Sequence, residues 1–200
     1  MKKVIIRAAA VLLLVAISLT ALVSCKKDVY LCEMDVEGYG TIKMRLLRYI
    51  APKTVDNFIE LAESDFYDGL TFIRAQKGFV IQGGKPADED AAGLKPIKGE
   101  FASNGYKKNT IRHTEGVISM ARTGDPNSAT SQFFITTGDA RASLDGDYAG
   151  FGYIDDESMA IVYKIEADMA PFGDASMGFV SDVTKQAVIT DVRIVGSYNR

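Results

Sequence analysis

The segment Ser131-Gln132-Phe133-Phe134-Ile135-Thr136 carries large apolar side chains on both faces of one predicted strand. Because side chains alternate along a strand, Phe133 and Ile135 face one side of the sheet and Phe134 faces the other. A barrel has a single core, which buries only one of these faces. The other face therefore places an aromatic ring outside the core, where either a packed loop or a ligand groove covers it.

Other parts of the chain favour the groove. Phe79, Val80 and Leu144 occur in separate segments beside polar residues that could converge with Phe134. Apolar side chains with a few well-placed hydrogen-bonding groups are typical of a ligand-binding groove. The sequence therefore predicts a binding site on the outer surface of a β-sheet.

Short strands separated by turn signals make up most of the remaining chain. The predicted strands cover residues 30–36, 41–47, 71–74, 79–82, 117–121, 132–136, 148–154 and 187–195. Pro52 begins a helical pattern of apolar residues, and a short second helix is predicted over 157–165. Residues 85–99 and 167–182 are predicted to be irregular. Many short strands and two helices favour a closed or nearly closed antiparallel barrel.

The composition of the 200-residue chain excludes several function classes. Apolar residues make up 47% of the chain, which is typical of a globular protein with a buried core. The formal net charge of −3 argues against a large basic surface for nucleic acid. One His and two Cys argue against most zinc sites, because these usually need about four such ligands.

The N-terminus has the pattern of an export signal. Basic residues occur among residues 1–7, and residues 8–21 carry no charge. Residues 22–25, Leu-Val-Ser-Cys, resemble the lipobox of bacterial lipoproteins, in which the Cys is acylated and becomes the mature N-terminus. We therefore expect a lipoprotein signal peptide over 1–24, lipidation of Cys25 and a lipidated tether over 25–29. The alternative is an uncleaved membrane anchor with an incidental Cys.

Lipidation of Cys25 implies an extracytoplasmic protein anchored to a bacterial membrane, either the cell membrane or the outer membrane. Lys26 follows the Cys directly, which favours the outer membrane in a cell that has two. The second cysteine, Cys32, alternates with apolar residues along a predicted strand. We expect it to be a buried and inert thiol.

Five sequence blocks occur in an order that resembles the cyclophilins, the cyclosporin-binding class of peptidyl-prolyl cis-trans isomerases. These blocks are Phe72-Ile73-Arg74, residues 78–84 (GFVIQGG), residues 116–122 (GVISMAR), residues 131–136 (SQFFIT) and Leu144-Asp145-Gly146. The resemblance covers nearly all of a predicted domain over 30–198. Within the family, the chain is similar to the bacterial branch. It implies a mainly β fold, a closed eight-stranded antiparallel β-barrel capped by two α-helices.

The chemistry of prolyl isomerisation fits these residues. Rotation about an amide costs about 18–20 kcal/mol because resonance must be broken. The twisted amide localises a lone pair on the proline nitrogen, and a donor aimed at that nitrogen stabilises the transition state selectively. Arg74 matches the catalytic Arg of the family, and Gln82 matches the Gln that holds it. No metal or cofactor is required, and we expect none.

The resemblance also implies a substrate-binding surface around Arg74. Phe79, Val80, Phe134 and Leu144 match the pocket for the proline ring, and Tyr148 stands where some relatives carry a pocket His. Ala121, Arg122 and Gln132 match the wall that binds the residues before proline. The expected partners are proline-containing peptides and unfolded or partly folded proteins, bound by a monomer.

Three positions depart from the family pattern. Ile73 replaces a His found in many members, and we expect a changed groove rim. Ser143 stands where the best-known eukaryotic members carry a Trp that contacts cyclosporin. His113 falls at a family His near the groove edge, where we expect a peripheral structural role.

Three alternative functions remain open from the sequence. One is a cyclophilin-shaped peptide-binding module or chaperone with little catalysis. Another is a hydrolase that pairs His113 with Ser119, Ser128 or Ser131, although none of these serines lies in a nucleophile-elbow pattern. The last is a substrate-binding lipoprotein, which normally needs a longer chain for its two lobes.

Overall fold

The computed structural model describes residues 26–88 and 93–200. Cys25 and the predicted signal peptide lie outside the described residues. Eight strands make up one sheet. They are β1 Val29–Val36, β2 Gly40–Leu47, β3 Phe72–Gln76, β4 Val80–Gly83, β5 Val117–Met120, β6 Phe133–Thr136, β7 Gly150–Ile154 and β8 Ile189–Tyr198.

The strand order in the sheet is β3-β4-β6-β5-β7-β2-β1-β8, and every neighbouring pair is antiparallel. The prediction of a mainly β fold with eight antiparallel strands is confirmed. The sequence placed each strand within two or three residues of its observed position, because alternating apolar residues and turn signals mark strands locally.

The two end strands of the sheet approach each other. Thr71 forms an isolated antiparallel bridge with Val188, and the Phe72 N–H donates to the Ala187 carbonyl over 2.9 Å. These contacts adjoin the ends of β3 and β8 and do not form a continuous ladder between the two strands. The structure therefore shows a curled half-barrel, and complete closure of the barrel stays a prediction.

Three α-helices occur in the described part of the chain, one more than the sequence predicted. They are α1 Pro52–Glu63, α2 Arg141–Leu144 and α3 Met159–Met169. The single turn of α2 is too short to show a helical period, so the pattern could not reveal it. Helix α3 extends four residues beyond its predicted end, since Met169 continues the buried stripe of Val162 and Ile165. No helix of the described residues is both long and apolar enough to span a membrane.

The core lies inside the curl of the sheet, under α1. Phe58 of α1 contacts three aromatic rings, with centroid distances of 5.1 Å to Tyr67, 5.8 Å to Phe133 and 5.3 Å to Phe151. Cys32 belongs to this core, and desolvation raises the pKa of its thiol to about 12. The prediction of a buried Cys32 is confirmed. Because burial keeps the thiol protonated at physiological pH, it is also unreactive.

Candidate active site

A second apolar cluster lies on the opposite face of the sheet from the core. Val80, Phe134, Ala140 and Leu144 are its buried members. Partly buried apolar residues pack around them, namely Phe79, Ala121 and Tyr148. The outward-facing ring of β6 is thus covered by residues from other segments, as the two-faced strand predicted.

The register of four strands sets out the polar part of the site. Arg74 on β3 pairs with Gln82 on β4, Gln82 pairs with Phe134 on β6, and Phe134 pairs with Ser119 on β5. These four side chains therefore form a row across the outer face. One residue along the strands, the corresponding row is entirely apolar and faces the core: Ala75, Ile81, Ile135 and Ile118.

A cavity of about 380 Å³ opens over the part of this row formed by Arg74, Gln82 and Phe134. It contains all the predicted catalytic and substrate-binding residues except Gln132. The lining residues are Arg74, Phe79, Val80, Gln82, Ala121, Arg122, Phe134, Ser143, Leu144, Tyr148, Met177 and Phe179. Gln132 lines an adjoining cavity of about 170 Å³ that shares Gln82, Ala121 and Arg122 with the first. The two cavities form one groove.

Three hydrogen bonds hold the Arg74 guanidinium at the floor of the groove. Nε donates to the Met177 carbonyl over 2.6 Å, and the terminal nitrogens donate to Gln76 Oε1 over 2.5 Å and to Gln82 Oε1 over 3.4 Å. Gln82 in turn donates from Nε2 to Gln132 Oε1 over 3.0 Å. Partial burial lowers the pKa of Arg74 by desolvation, yet an arginine remains protonated throughout the physiological pH range.

The apolar end of the groove is a small aromatic-lined pocket. Phe134 is 4% exposed and meets Tyr148 edge to face, with a centroid distance of 5.7 Å. The Arg122 guanidinium lies 4.6 Å from the centre of the Tyr148 ring, and its Nε donates to the Asp147 carbonyl over 2.9 Å. The Arg122 side chain therefore lies against the aromatic end of the groove.

A buried polar chain supports the Phe134 ring. The His113 ring stacks against Phe134 at 6.1 Å between centroids, and its Nε2 lies 3.0 Å from Ser119 Oγ. Its Nδ1 lies 3.1 Å from Asp145 Oδ1, which also accepts the His113 backbone N–H over 2.7 Å. Burial lowers the pKa of His113, so the ring is neutral at pH 7. The structure places His113 behind the pocket wall, in agreement with a structural role.

The same chain bears on the hydrolase alternative. Ser119, His113 and Asp145 are aligned in the order of a catalytic triad. The hydrolase alternative paired His113 with Ser119 but did not include Asp145. Ser119 is 0% exposed and His113 is 1% exposed, so no substrate carbonyl reaches the hydroxyl. The hydroxyl groups of Ser128 and Ser131 donate to the carbonyls of Asp125 and Gly84. The hydrolase alternative therefore lacks an accessible nucleophile held by His113.

Met177 and Phe179 line the groove and were missed from the sequence. They lie in residues 167–182, which were predicted to be irregular. The available signal was two large apolar residues flanking Gly178 within a polar stretch, but their distance from the recognised blocks gave no reason to place them beside Arg74.

No group of three or more His, Cys, Asp or Glu side chains in the described ranges is arranged to hold a metal ion.

Known proteins resemble this chain over most of its length. Residues 31–196 match the model of the family described as cyclophilin type peptidyl-prolyl cis-trans isomerase/CLD. Peptidyl-prolyl cis-trans isomerase B of Escherichia coli is 36% identical over 163 residues, which cover 77% of this chain and 93% of the relative. Peptidyl-prolyl cis-trans isomerase-like 3 of Gallus gallus is 35% identical over 154 residues, covering 74% and 91% respectively.

Solved structures give the same result. A crystal structure of a cyclophilin type peptidyl-prolyl cis-trans isomerase of Cryptosporidium parvum has a TM-score of 0.65 and 27% identity, covering 84% of this chain and 99% of that chain. A second structure of the same protein, in the presence of the dipeptide Ala-Pro, has a TM-score of 0.61. With its outward groove around Arg74 and Phe134, this chain belongs to the cyclophilin-type peptidyl-prolyl cis-trans isomerases.

Proposed function

We propose that this isomerase is a lipid-anchored, extracytoplasmic enzyme that accelerates X-Pro rotation in proteins folding outside the cytoplasm. The observation that carries its catalytic part is the position of a charged guanidinium beside a cluster of apolar side chains in one groove. The pocket holds the proline ring, and the guanidinium stabilises the twisted amide.

Arg74 has the donors that this role needs. A guanidinium carries five N–H groups, and the three hydrogen bonds in the structure use one from each nitrogen. Two N–H groups, one on each terminal nitrogen, are left for a substrate. When the amide twists, its nitrogen gains a lone pair that accepts from one of them. This bond is absent in the planar ground state, so it lowers the barrier rather than only tightening binding.

Gln82 positions both the arginine and the peptide. Its side-chain oxygen accepts from Arg74 while its nitrogen donates to Gln132, which orients the amide group. We assign the wall of Ala121, Arg122 and Gln132 to the residues before proline. Phe79, Val80, Phe134, Leu144 and Tyr148 form the proline pocket. The Ala-Pro dipeptide studied with the Cryptosporidium relative supports proline as the ligand of such a groove.

Isomerisation of an unlabelled peptide tests the catalytic assignment against the binding-module alternative. Exchange NMR of Ala-Ala-Pro-Phe should show faster cis-trans interconversion with catalytic amounts of the protein, and Arg74→Ala should remove most of the acceleration. If the peptide binds but interconverts at its rate in buffer, the protein is a binding module with little catalysis.

Acylation of Cys25 tests the anchor. The support for it is the lipobox-like sequence at residues 22–25 after an uncharged stretch. Two acyl chains on one residue, with the usual N-acyl group, give stable membrane attachment. Cys25→Ala should leave an unprocessed precursor that does not incorporate labelled fatty acid, whereas Cys32→Ala should be processed normally. Normal acylation of Cys25→Ala would rule the anchor out.

A further inference from the structure

Residues 173–180 form a tight turn organised by one carboxylate. Asp174 accepts the backbone N–H groups of Ser176, Met177 and Phe179 at 2.8–2.9 Å, and the Ser176 hydroxyl at 2.5 Å. These bonds hold the pKa of Asp174 well below its usual range, so the carboxylate stays ionised. The turn is therefore fixed by its own hydrogen bonds, including an Asp174 N–H donated to the Phe179 carbonyl.

The turn is fastened to the strand that carries Arg74. The Ala75 N–H donates to the Gly178 carbonyl and the Val180 N–H donates to the Ile73 carbonyl, both over 2.9 Å. Gly178 has φ of +78°, and a Cβ there would lie 2.6 Å from the Ala75 carbonyl oxygen. Only glycine fits this crossing, which brings the turn against β3.

The fastening presents two large apolar side chains to the groove. Met177 is 48% exposed and Phe179 is 39% exposed, although both line the cavity. The Phe179 ring centre lies 5.5 Å from the guanidinium carbon of Arg74. Ser143, another lining residue of the same cavity, is small and polar. Exposed apolar residues on a rigid turn beside a groove indicate a contact surface for a ligand.

The position of this surface along the groove identifies which part of a peptide it meets. Hydrogen bonds connect Gln132 to Gln82, Gln82 to Arg74, and Arg74 to the Met177 carbonyl, so Met177 lies at the end away from Gln132. The proposed function places the residues before proline at the Gln132 end. The part of the bound peptide that leaves the proline pocket towards Arg74 then begins with the residue after proline.

We infer that Met177 and Phe179 form a subsite for an apolar or aromatic side chain on the residue that follows the proline. This inference rests on the proposed function, because it needs the proline in the pocket and the preceding residues at the Gln132 end. The subsite makes the enzyme favour Pro-Phe and Pro-Leu sequences over Pro-Gly sequences.

The test compares kcat/KM for Ala-Ala-Pro-Phe-Ala and Ala-Ala-Pro-Gly-Ala by exchange NMR with the purified full chain in detergent. We expect the wild type to favour the Phe peptide about tenfold, in line with the burial of one apolar side chain. Phe179→Ala should reduce this preference to about twofold or less, mainly through the Phe peptide, and Met177→Ala should reduce it partly. Phe179→Leu should keep most of it.

Phe172→Ala is the matched control, because Phe172 is 49% exposed in the same region and does not line the cavity. It should keep the wild-type preference. An equal loss on both peptides in Phe179→Ala would mean that Phe179 only positions Arg74, and an unchanged preference would mean that it contacts no substrate. Either result overturns the inference while leaving the isomerase function standing. Failure of the proposed catalytic site would instead show as equal rates for the wild type and Arg74→Ala on both peptides.

Discussion

Phe133 and Phe134 are neighbours on β6 and belong to different parts of the molecule. Phe133 is 0% exposed among the rings of the core, whereas Phe134 is 4% exposed on the floor of a groove open to solvent. The core ring contacts other rings, and the groove ring contacts a neutral histidine and a tyrosine. Burial alone therefore does not separate a ring that packs in the core from a ring that lines the groove.

The difference lies in what surrounds each ring. The row next to Phe133 in the core is made of aliphatic side chains, which can only pack. The row through Phe134 includes Arg74, Gln82 and Ser119, whose hydrogen-bonding groups point away from the core. Hydrogen-bonding groups beside an apolar surface that is open to solvent can recognise a ligand. Aliphatic side chains in a closed core cannot.

The largest expected effect is a difference in stability between alanine substitutions of the two rings. Phe133→Ala should lower the free energy of unfolding by about 3–5 kcal/mol, because it leaves a cavity in a close-packed core. Phe134→Ala should lower it by clearly less, since the groove is already open to water, and should reduce peptide affinity and turnover together. Urea unfolding of both variants measures the free energy of unfolding, and exchange NMR measures peptide turnover. Equal destabilisation by the two substitutions would remove the distinction between core and groove.

Arg74→Ala tests whether the polar row acts in the transition state. Loss of one preorganised donor typically costs about 2.7–4 kcal/mol, or about 10²–10³ in rate. Peptide binding should weaken less than turnover, because the donor acts mainly on the twisted amide. The control is Arg45→Ala, which removes an exposed arginine that lies outside the groove. Full activity of Arg74→Ala would contradict the mechanism.

Ser143 lies in the lining of the groove and is expected to affect drug binding more than catalysis. A Trp at this position in cyclosporin-sensitive relatives offers a ring and an indole donor, worth about 1.5–3 kcal/mol in contact and about 0.5–1.5 kcal/mol in hydrogen bonding. We expect cyclosporin to bind this protein about 30- to 1000-fold more weakly than it binds a Trp-bearing relative. Drug titration should show that Ser143→Trp recovers part of that affinity, with isomerase activity little changed. Tight inhibition of the wild type would contradict this prediction.

The smallest expected effect concerns the support behind Phe134. Burial lowers the folded-state pKa of His113, so below about pH 6.5 the unfolded chain binds a proton that the folded chain does not. The free energy of unfolding should therefore fall as the pH drops from about 6.5 towards the folded-state pKa, by at most about 1.4 kcal/mol per pH unit.

The matched variant for this effect is His113→Gln, which keeps a polar side chain but does not titrate. Urea unfolding between pH 7 and pH 5 should show a shallower dependence on pH for the variant than for the wild type. A slope that is the same in both proteins would assign the titration to another group.

The strands and the two-faced character of β6 were predictable from the sequence, since alternation and turn residues act within a few positions. Arg74, Gln82 and Phe134 were also placed on one site by their blocks of sequence. The structure brings them into one row, and their individual roles stay predictions. The third helix and the extension of α3 were not predicted, because single turns and helix ends carry weak local signals.

The family, the eight strands, the groove residues on β3, β4 and β6 and those directly after β5 were therefore readable from the amino-acid sequence. Only the tertiary structure decided that His113, Ser119 and Asp145 form a buried chain behind Phe134, and that Asp174 shapes a turn which brings Met177 and Phe179 beside Arg74. The decisive contacts join distant parts of the chain, since His113 lies 32 positions from Asp145 and Arg74 lies 103 positions from Met177. Local patterns record which face a residue presents, whereas contacts between residues about 30 to 100 positions apart depend on how the sheet curls and which loops cross it.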